Sequence, residues 1–234
     1  MKTKVNGLHV TFCAYRPWAL TLAPLVHGHA KVRELAIISS KPEFDQLQAS
    51  LGEITDMVFF VGWSWIIPLS LFRNVLCLGM HPSDLPRYRG GSPLQHQIIA
   101  GATHSMASLF TITEEIDGGP IWKKERFSLV GDNMDQVLTN LSGATSRLLT
   151  LFLDKYPDIS AQPQPASDEP ILKRRTPDQS SLSPQDFQTR SARDLYNRIR
   201  SLTDPYPNAF LRDARGDKIF FTGVRFEEAD KPSA

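Results

Sequence analysis

The chain has 234 residues, of which 41% are hydrophobic and 22% are charged, a composition typical of a soluble globular protein. Its 26 basic and 25 acidic residues leave a net charge of +1, so charge favours neither nucleic acid nor an acidic membrane as a partner. The sequence shows no signal peptide and no apolar run of the ~18 residues that a membrane span needs, which predicts a cytoplasmic protein without membrane contact.

The first part of the chain alternates between apolar runs of strand length and segments with helical spacing. These strands and helices are predicted at residues 8–14, 18–27, 32–38, 42–51, 57–61 and 74–80. Runs that are apolar at every position suit strands buried on both faces of a parallel sheet, and strands separated by helices indicate βαβ units. Cys13 and Cys77 lie inside such runs, which predicts buried, reduced thiols rather than a disulfide or a zinc site.

The second part of the chain predicts a change to antiparallel pairing. A helix is expected over residues 93–101 with Ser92 as its N-cap, followed by a strand at 107–112 that pairs antiparallel with 122–129. Asn133 and Gln136 form a plausible capping pair for the next helix. Its apolar face is predicted at Val137, Leu141, Ala144, Leu148, Leu151 and Phe152.

The last third of the chain predicts a linker and a small terminal unit. Prolines 157, 163, 165 and 170 favour a linker or a segment that runs along the surface. A short helix that begins at Ser191 and a hairpin over 209–221 follow. The polar tail from Glu227 on is expected to fray.

Two segments combine titratable side chains with rigid or permissive backbone. The first is residues 81–93, HPSDLPRYRGGSP, and the second is residues 115–120, EIDGGP. His81 follows a buried strand, where ligands bind in open α/β sheets, and an imidazole exchanges protons readily near neutral pH. Asp117 would orient His81 and favour its protonated form. Taken alone, His81 would more often be a structural loop histidine and Asp117 a turn aspartate, but together with the surrounding motif they predict an acid–base pair.

These segments resemble the signature of the folate-dependent formyltransferases, a family that includes methionyl-tRNA formyltransferase, glycinamide ribonucleotide formyltransferase and the bacterial sugar N-formyltransferases. The resemblance covers residues 55–125, with weaker similarity at 174–178 and 199–210. It implies a Rossmann-like α/β domain with a mostly parallel sheet over residues 1–156. A Pro-rich linker over 157–185 and a small α+β extension over 186–234 would follow.

The resemblance also implies the site. Catalytic residues would be His81 and Asp117, the formyl donor would be N10-formyltetrahydrofolate, and no metal would be needed. Residues 62–68 align with the family segment that lines the folate pocket, although the tryptophans could instead be a core pair. The implied folate-binding residues are Gly62, Trp63, Ser64, Trp65, Met80 and Ile116. The residues expected to bind the anionic part of the acceptor are Arg87, Tyr88, Arg89 and Gly90, unless this is an exposed basic turn.

One position departs from the family. The family has Asn two residues before the histidine, where its side chain donates to the formyl oxygen, and this chain has Gly79. Loss of such a donor typically lowers the rate on the order of 10²- to 10³-fold. Three interpretations are open: a water or backbone N–H replaces the Asn, protonated His81 stabilises the charge alone, or the chain is catalytically weak.

The acceptor is inferred by exclusion within the family. Members specific for tRNA carry a full oligonucleotide-binding barrel after the catalytic domain, and here a short segment with balanced charge follows. The basic cluster 173–175 is either a solvated turn or a phosphate clamp. The best remaining acceptor is a nucleotide-linked amino-deoxy sugar, such as a dTDP- or UDP-linked 3- or 4-amino dideoxyhexose of a lipopolysaccharide O-antigen, used by a homodimer without nucleic acid. Alternatives are a formyltetrahydrofolate hydrolase, a methionyl-tRNA formyltransferase-like enzyme and a non-catalytic folate-binding protein.

Overall fold

A computed structural model describes residues 7–229 and contains a six-stranded sheet in the order β2-β1-β3-β4-β5-β6. The strands are β1 (Leu8–Cys13), β2 (Val32–Ile38), β3 (Met57–Val61), β4 (Leu76–His81), β5 (His104–Thr111) and β6 (Ile121–Ser128). The first four strands are parallel, and β5 and β6 add to them antiparallel. The mostly parallel α/β sheet and the antiparallel pair predicted from the sequence are therefore confirmed.

Helices cover both faces of this sheet. They are α1 (Pro17–Leu20), α2 (Ala23–His27), α3 (Lys41–Leu47), α4 (Leu51–Ile54), α5 (Leu69–Phe72), α6 (Pro93–Ile99) and α7 (Met134–Lys155). The Asn133 side chain caps α7 by accepting from the N–H of Gln136, as predicted. Ser92 does not cap α6 with its side chain, because its backbone is left-handed with φ of 53° and its hydroxyl accepts from the N–H of Arg175 instead.

The core lies on the two faces of the sheet. On one face α7 packs Phe152 edge-on against Phe59 of β3. On the other face α3 packs Phe44 against Phe60. Cys13 and Cys77 are buried and unlinked, as expected, and burial raises the pKa of the Cys77 thiol to about 12. Both thiols are therefore neutral packing groups, because the thiolate is the nucleophilic form.

The C-terminal unit is a second small sheet with two helices. After a 3₁₀ turn at Pro177–Ser180 come β7 (Ser181–Leu182), α8 (Pro184–Thr189), α9 (Ala192–Arg200), β8 (Ala209–Arg212) and β9 (Lys218–Phe221). The predicted hairpin is β8–β9. Buried Arg200 of α9 donates to the carbonyls of Leu129 (2.7 Å) and Gly131 (3.1 Å), which ties this unit to the end of β6. The tail from Glu227 on, which was predicted to fray, lies partly outside the described residues.

Residues 157–176, here called the strap, follow α7 and run along the loops at the end of β4. Gln162 pairs with Ile121, and Leu172 pairs with Gly90. A Cβ at Gly90 or Gly91 would collide with the backbone of the strap, so the two glycines allow its close approach. The segment predicted as a linker thus packs against the loop that follows His81.

Among residues 7–229, no helix combines the length and the apolar character needed to cross a membrane.

Candidate active site

His81 is the last residue of β4 and is 7% exposed. Its Nε2 lies 2.9 Å from the carbonyl oxygen of Tyr88, and its Nδ1 lies 3.4 Å from Asp117 Oδ2. A carbonyl and an ionised carboxylate both only accept hydrogen bonds. Two acceptors therefore face the two ring nitrogens of His81, the carbonyl at hydrogen-bond distance and the carboxylate at ion-pair distance.

Asp117 lies in the turn between β5 and β6, in a left-handed conformation with φ of 48°. The oxygen that faces His81, Oδ2, also accepts from the N–H of Gly90 at 2.8 Å. This hydrogen bond joins the segment 115–120 to the segment 81–93, so the structure brings the two predicted catalytic side chains together. Their catalytic roles stay predictions.

The turn that carries Asp117 is held by a side chain from the strap. Gln164 Nε2 donates to the carbonyls of Asp117 (2.7 Å) and Gly119 (2.8 Å). Its Oε1 accepts from the guanidinium of Arg89, and Arg89 also pairs with Glu115. Gln164 thus fixes the backbone of Asp117 from one side while Gly90 holds its carboxylate from the other.

A cavity of about 660 Å³, here called the larger cavity, opens on one side of His81. Its walls are mainly apolar and aromatic, and its carboxylates are Glu114, Glu115 and Asp117. Five of the six predicted folate-binding residues line it, namely Trp63, Ser64, Trp65, Met80 and Ile116. An apolar, aromatic wall with a few polar groups suits a flat heteroaromatic ligand such as a pterin.

The side chains of Trp63 and Trp65 line the larger cavity and also contact other aromatic residues of the protein. Trp63 packs edge-on against Phe44 at 5.2 Å between ring centroids, and against Trp65 at 4.7 Å. Tyr15 lies at 4.3 Å from Trp65 and donates from its hydroxyl to Ser64 Oγ. The two alternatives left open for the tryptophans are therefore both realised, since the rings reach the core and also line the larger cavity.

A second cavity of about 320 Å³, here called the smaller cavity, is also lined by His81. Gly62, the sixth predicted folate-binding residue, lines this cavity instead. Its polar lining includes Arg16, Gln95, Arg174, Arg175 and Tyr206, and contains no aspartate or glutamate. His81, Met80, Trp63, Ser64, Gly90 and Arg174 line both cavities. His81 therefore stands at their junction.

The space beside Gly79 is filled by Phe110, its direct partner in the β4–β5 register. A Cβ at position 79 would lie 2.7 Å from two ring atoms of Phe110, which is itself only 5% exposed and lines the larger cavity. The ring therefore occupies the position that a side chain at residue 79 would take, while Gly79 itself still lines the larger cavity. The three interpretations of Gly79 stay predictions.

The predicted acceptor residues are placed differently from one another. Gly90 lines both cavities, whereas Arg87 pairs with Glu169 of the strap and Arg89 is held by Gln164 and Glu115. Tyr88, with φ of 57°, contributes its carbonyl to His81. A direct role of Arg87, Tyr88 and Arg89 in acceptor binding stays a prediction.

Several residues of the site were missed by sequence reasoning. Gln164, Phe110 and Gln95 lie in segments whose spacing carries no chemical motif, and Tyr206 was not singled out within the weaker similarity at 199–210. Basic residues in the cluster 173–175 were noted but left undecided. No group of three or more His, Cys, Asp or Glu in the part of the chain that the structure describes is placed to hold a metal ion.

The site therefore consists of one ionisable pair, His81 and Asp117, where two cavities meet in an open α/β sheet. The formyl transferase family model matches residues 27–146, slightly more than half of the chain, and the chain therefore belongs to that family. The folate-dependent formyltransferase family predicted from the sequence is confirmed, together with N10-formyltetrahydrofolate as the formyl donor that the family uses.

Individual relatives agree on the family. The methionyl-tRNA formyltransferase of Sorangium cellulosum is 28% identical over 200 residues, which cover 82% of this chain and 61% of the relative. The chain thus spans about three fifths of the length of the curated relatives it matches.

Solved structures agree as well. A methionyl-tRNA formyltransferase from Clostridium thermocellum superposes with a TM-score of 0.77 at 26% identity, over 92% of this chain and 97% of that one. A 4-N formyltransferase from Francisella tularensis superposes with a TM-score of 0.76 at 19% identity, over 94% and 99%, which shows the shared fold alone.

Replacing Gln164 should loosen the turn that carries Asp117. Gln164→Ala removes a donor from two carbonyls, and we expect the free energy of unfolding to fall by about 1–2 kcal/mol. Chemical denaturation of the purified protein measures this loss. Gln162→Ala is the matched control, because the exposed Gln162 side chain contacts only Ser160. Equal stability of the two variants would contradict the bracing role of Gln164.

Restoring the family's asparagine should require removal of Phe110. Gly79→Asn forces the Phe110 ring out of its place, and overpacking of this kind costs about 1–3 kcal/mol. The double variant Gly79→Asn/Phe110→Ala should recover part of that loss relative to the sum of the single changes. A double-mutant cycle of unfolding free energies measures the coupling. Additive single changes would show that the two positions do not compete for the same space.

Proposed function

We propose that this protein transfers a formyl group from N10-formyltetrahydrofolate to the primary amine of a nucleotide-linked amino-deoxy sugar. The observation that carries the proposal is the position of His81 between two cavities of opposite chemistry. The larger cavity is aromatic and bears carboxylates, and the smaller cavity bears arginines without carboxylates. The larger cavity would hold the folate, and the smaller cavity would bring an anionic acceptor to the same histidine.

The proposed reaction forms one bond and breaks another. The amine nitrogen of the acceptor bonds to the formyl carbon, the carbonyl electron pair moves onto oxygen, and its return breaks the bond to N10 of the folate. One proton must leave the attacking amine, and one must reach N10. N10-formyltetrahydrofolate supplies the formyl group and leaves as tetrahydrofolate.

The residues of this chain would handle the charge and the proton. In protonated form, His81 would stabilise the negative charge that develops on the formyl oxygen. The protonated ring would give its Nε2 proton to N10 and then take the proton that the attacking nitrogen releases, once the Nε2 contact with the Tyr88 carbonyl opens and with Asp117 beside Nδ1. Asp117 therefore keeps the ring oriented while the proton passes between the amine and N10.

The relatives suggest methionyl-tRNA as a second candidate acceptor. The curated relatives reported above are methionyl-tRNA formyltransferases, whereas the Francisella tularensis neighbour is a 4-N formyltransferase. The choice of a nucleotide-linked sugar rests on the small volume and the local charge of the smaller cavity, to which a compact anionic acceptor fits. Methionyl-tRNA is therefore included in the test as a competing acceptor.

The proposal is tested by a panel of single-turnover reactions. The protein is mixed with N10-formyltetrahydrofolate and either dTDP- and UDP-linked 3- and 4-amino dideoxyhexoses, methionyl-tRNA, or no acceptor, and products are identified by mass spectrometry. Formylation of an amino sugar supports the proposal. Formylation of methionyl-tRNA alone would instead indicate a methionyl-tRNA formyltransferase-like enzyme. Formate release without an acceptor would indicate a hydrolase, and folate binding without turnover would indicate a non-catalytic folate-binding protein.

In the active reaction, His81→Asn should lower the single-turnover rate by about 10²- to 10⁴-fold, because loss of a general acid–base group usually has this effect. Folding should be unchanged, as judged by circular dichroism. His104→Asn is the matched control, since His104 is exposed and contacts Thr103. Retention of more than about a tenth of the wild-type rate by His81→Asn would show that this histidine does not carry the proton.

A further inference from the structure

The smaller cavity carries positive charge that the protein does not neutralise. Arg16, Arg174 and Arg175 line it, and within residues 7–229 none of the three forms an ion pair with a carboxylate. Arg87 and Arg89, in contrast, pair with glutamates. Three guanidinium groups that face a shared space without a counter-ion indicate that an anionic ligand belongs there.

Gln95 gives an independent sign of a missing ligand. It is 3% exposed and lines the smaller cavity, yet its Nε2 makes no hydrogen bond of good geometry within the described residues, even though the Tyr206 hydroxyl lies nearby. Gln97, two residues further on, donates to the carbonyls of Pro82 and Pro93. A buried amide donor without an acceptor is unfavourable, so the Gln95 donor is available for an acceptor atom of a ligand.

Local structure holds the charged groups in place. The strap lies against Gly91, where a Cβ would collide with the backbone of Arg174, and this contact brings Arg174 to the junction of the two cavities. Arg16 lies over the rings of Tyr15 at 4.9 Å and Tyr206 at 5.7 Å. Burial raises the pKa of Tyr206, so its hydroxyl keeps its proton and can donate.

We infer that Arg16, Gln95, Arg174 and Tyr206 form a diphosphate-binding subsite, with Arg175 adding charge at its edge. The inference rests on the proposed function in one respect: the diphosphate would be that of the nucleotide-linked acceptor. Phosphate oxygens accept several hydrogen bonds and suit the planar guanidinium group. The proposed function assigns the folate to the larger cavity, so the smaller cavity is left for the phosphate groups of the acceptor.

The subsite is tested by binding without catalysis. Isothermal calorimetry measures the affinity of the full chain for UDP and dTDP, for uridine and thymidine, and for inorganic pyrophosphate as a competitor. We expect at least one nucleoside diphosphate to bind about tenfold or more tightly than its nucleoside, and pyrophosphate to compete with it. Equal affinity of nucleoside and diphosphate, or no binding of any diphosphate, would overturn the inference.

Variants locate the binding. Arg174→Ala and Arg16→Ala should each weaken the diphosphate by about tenfold and leave the nucleoside unchanged. Arg147→Ala removes the same charge from an exposed position on α7, where Arg147 pairs with Glu125, and should leave both affinities unchanged. Equal weakening by Arg147→Ala and Arg174→Ala would show a general charge effect and overturn the subsite. Gln95→Leu provides a further variant if an arginine change prevents folding.

The subsite and the reaction can fail separately. His81→Asn should bind the diphosphate as the wild type does, since the inference does not place His81 among the phosphate ligands. Diphosphate binding that depends on Arg174, without any formyl transfer, would overturn the proposed reaction and retain the subsite. Transfer to an amino sugar with undiminished activity in Arg174→Ala and Arg16→Ala would overturn the subsite and retain the reaction.

Discussion

The organisation of the site depends on one contact, the hydrogen bond from the N–H of Gly90 to Asp117 Oδ2. It connects the loop after β4 to the turn between β5 and β6, and the same oxygen faces His81. An ionised acceptor strengthens such a hydrogen bond, and a half-buried setting weakens the competition from water. The position of His81 relative to both cavities therefore depends on a carboxylate that the backbone itself holds.

The strap also supports the turn that carries Asp117. Gln164 donates to the backbone carbonyl of Asp117, and Leu172 pairs with Gly90, whose N–H donates to the Asp117 carboxylate. The same stretch of chain then brings Arg174 to the smaller cavity. Support of the turn that carries Asp117 and formation of one wall of the smaller cavity are thus properties of one segment, so changes that detach the strap should disturb both together.

The sequence was sufficient for features that depend on local patterns. Continuous apolar runs predicted the parallel strands, and the Asn133 cap predicted the start of α7. The segments 81–93 and 115–120 predicted that His81 and Asp117 belong to one site. It was insufficient where the partner lies far along the chain. Gln164 contacts carbonyls 45 and 47 residues away, in a polar segment without periodicity. The occupation of the Gly79 space by Phe110 depends on the register of β4 against β5, which no local pattern reveals.

The pairing of Gly79 with Phe110 also bears on how the proposed reaction would manage charge. Loss of the family's asparagine removes a neutral donor, a change worth on the order of 10²- to 10³-fold in rate. The Phe110 ring places apolar surface where the side chain of residue 79 would lie, in the wall of the larger cavity. Charge–charge interactions strengthen as the local dielectric constant falls, so a drier site increases the effect of a protonated His81 on a nearby oxyanion. In the proposed reaction, His81 would then have to supply the stabilisation of the oxyanion that the family's asparagine would otherwise share.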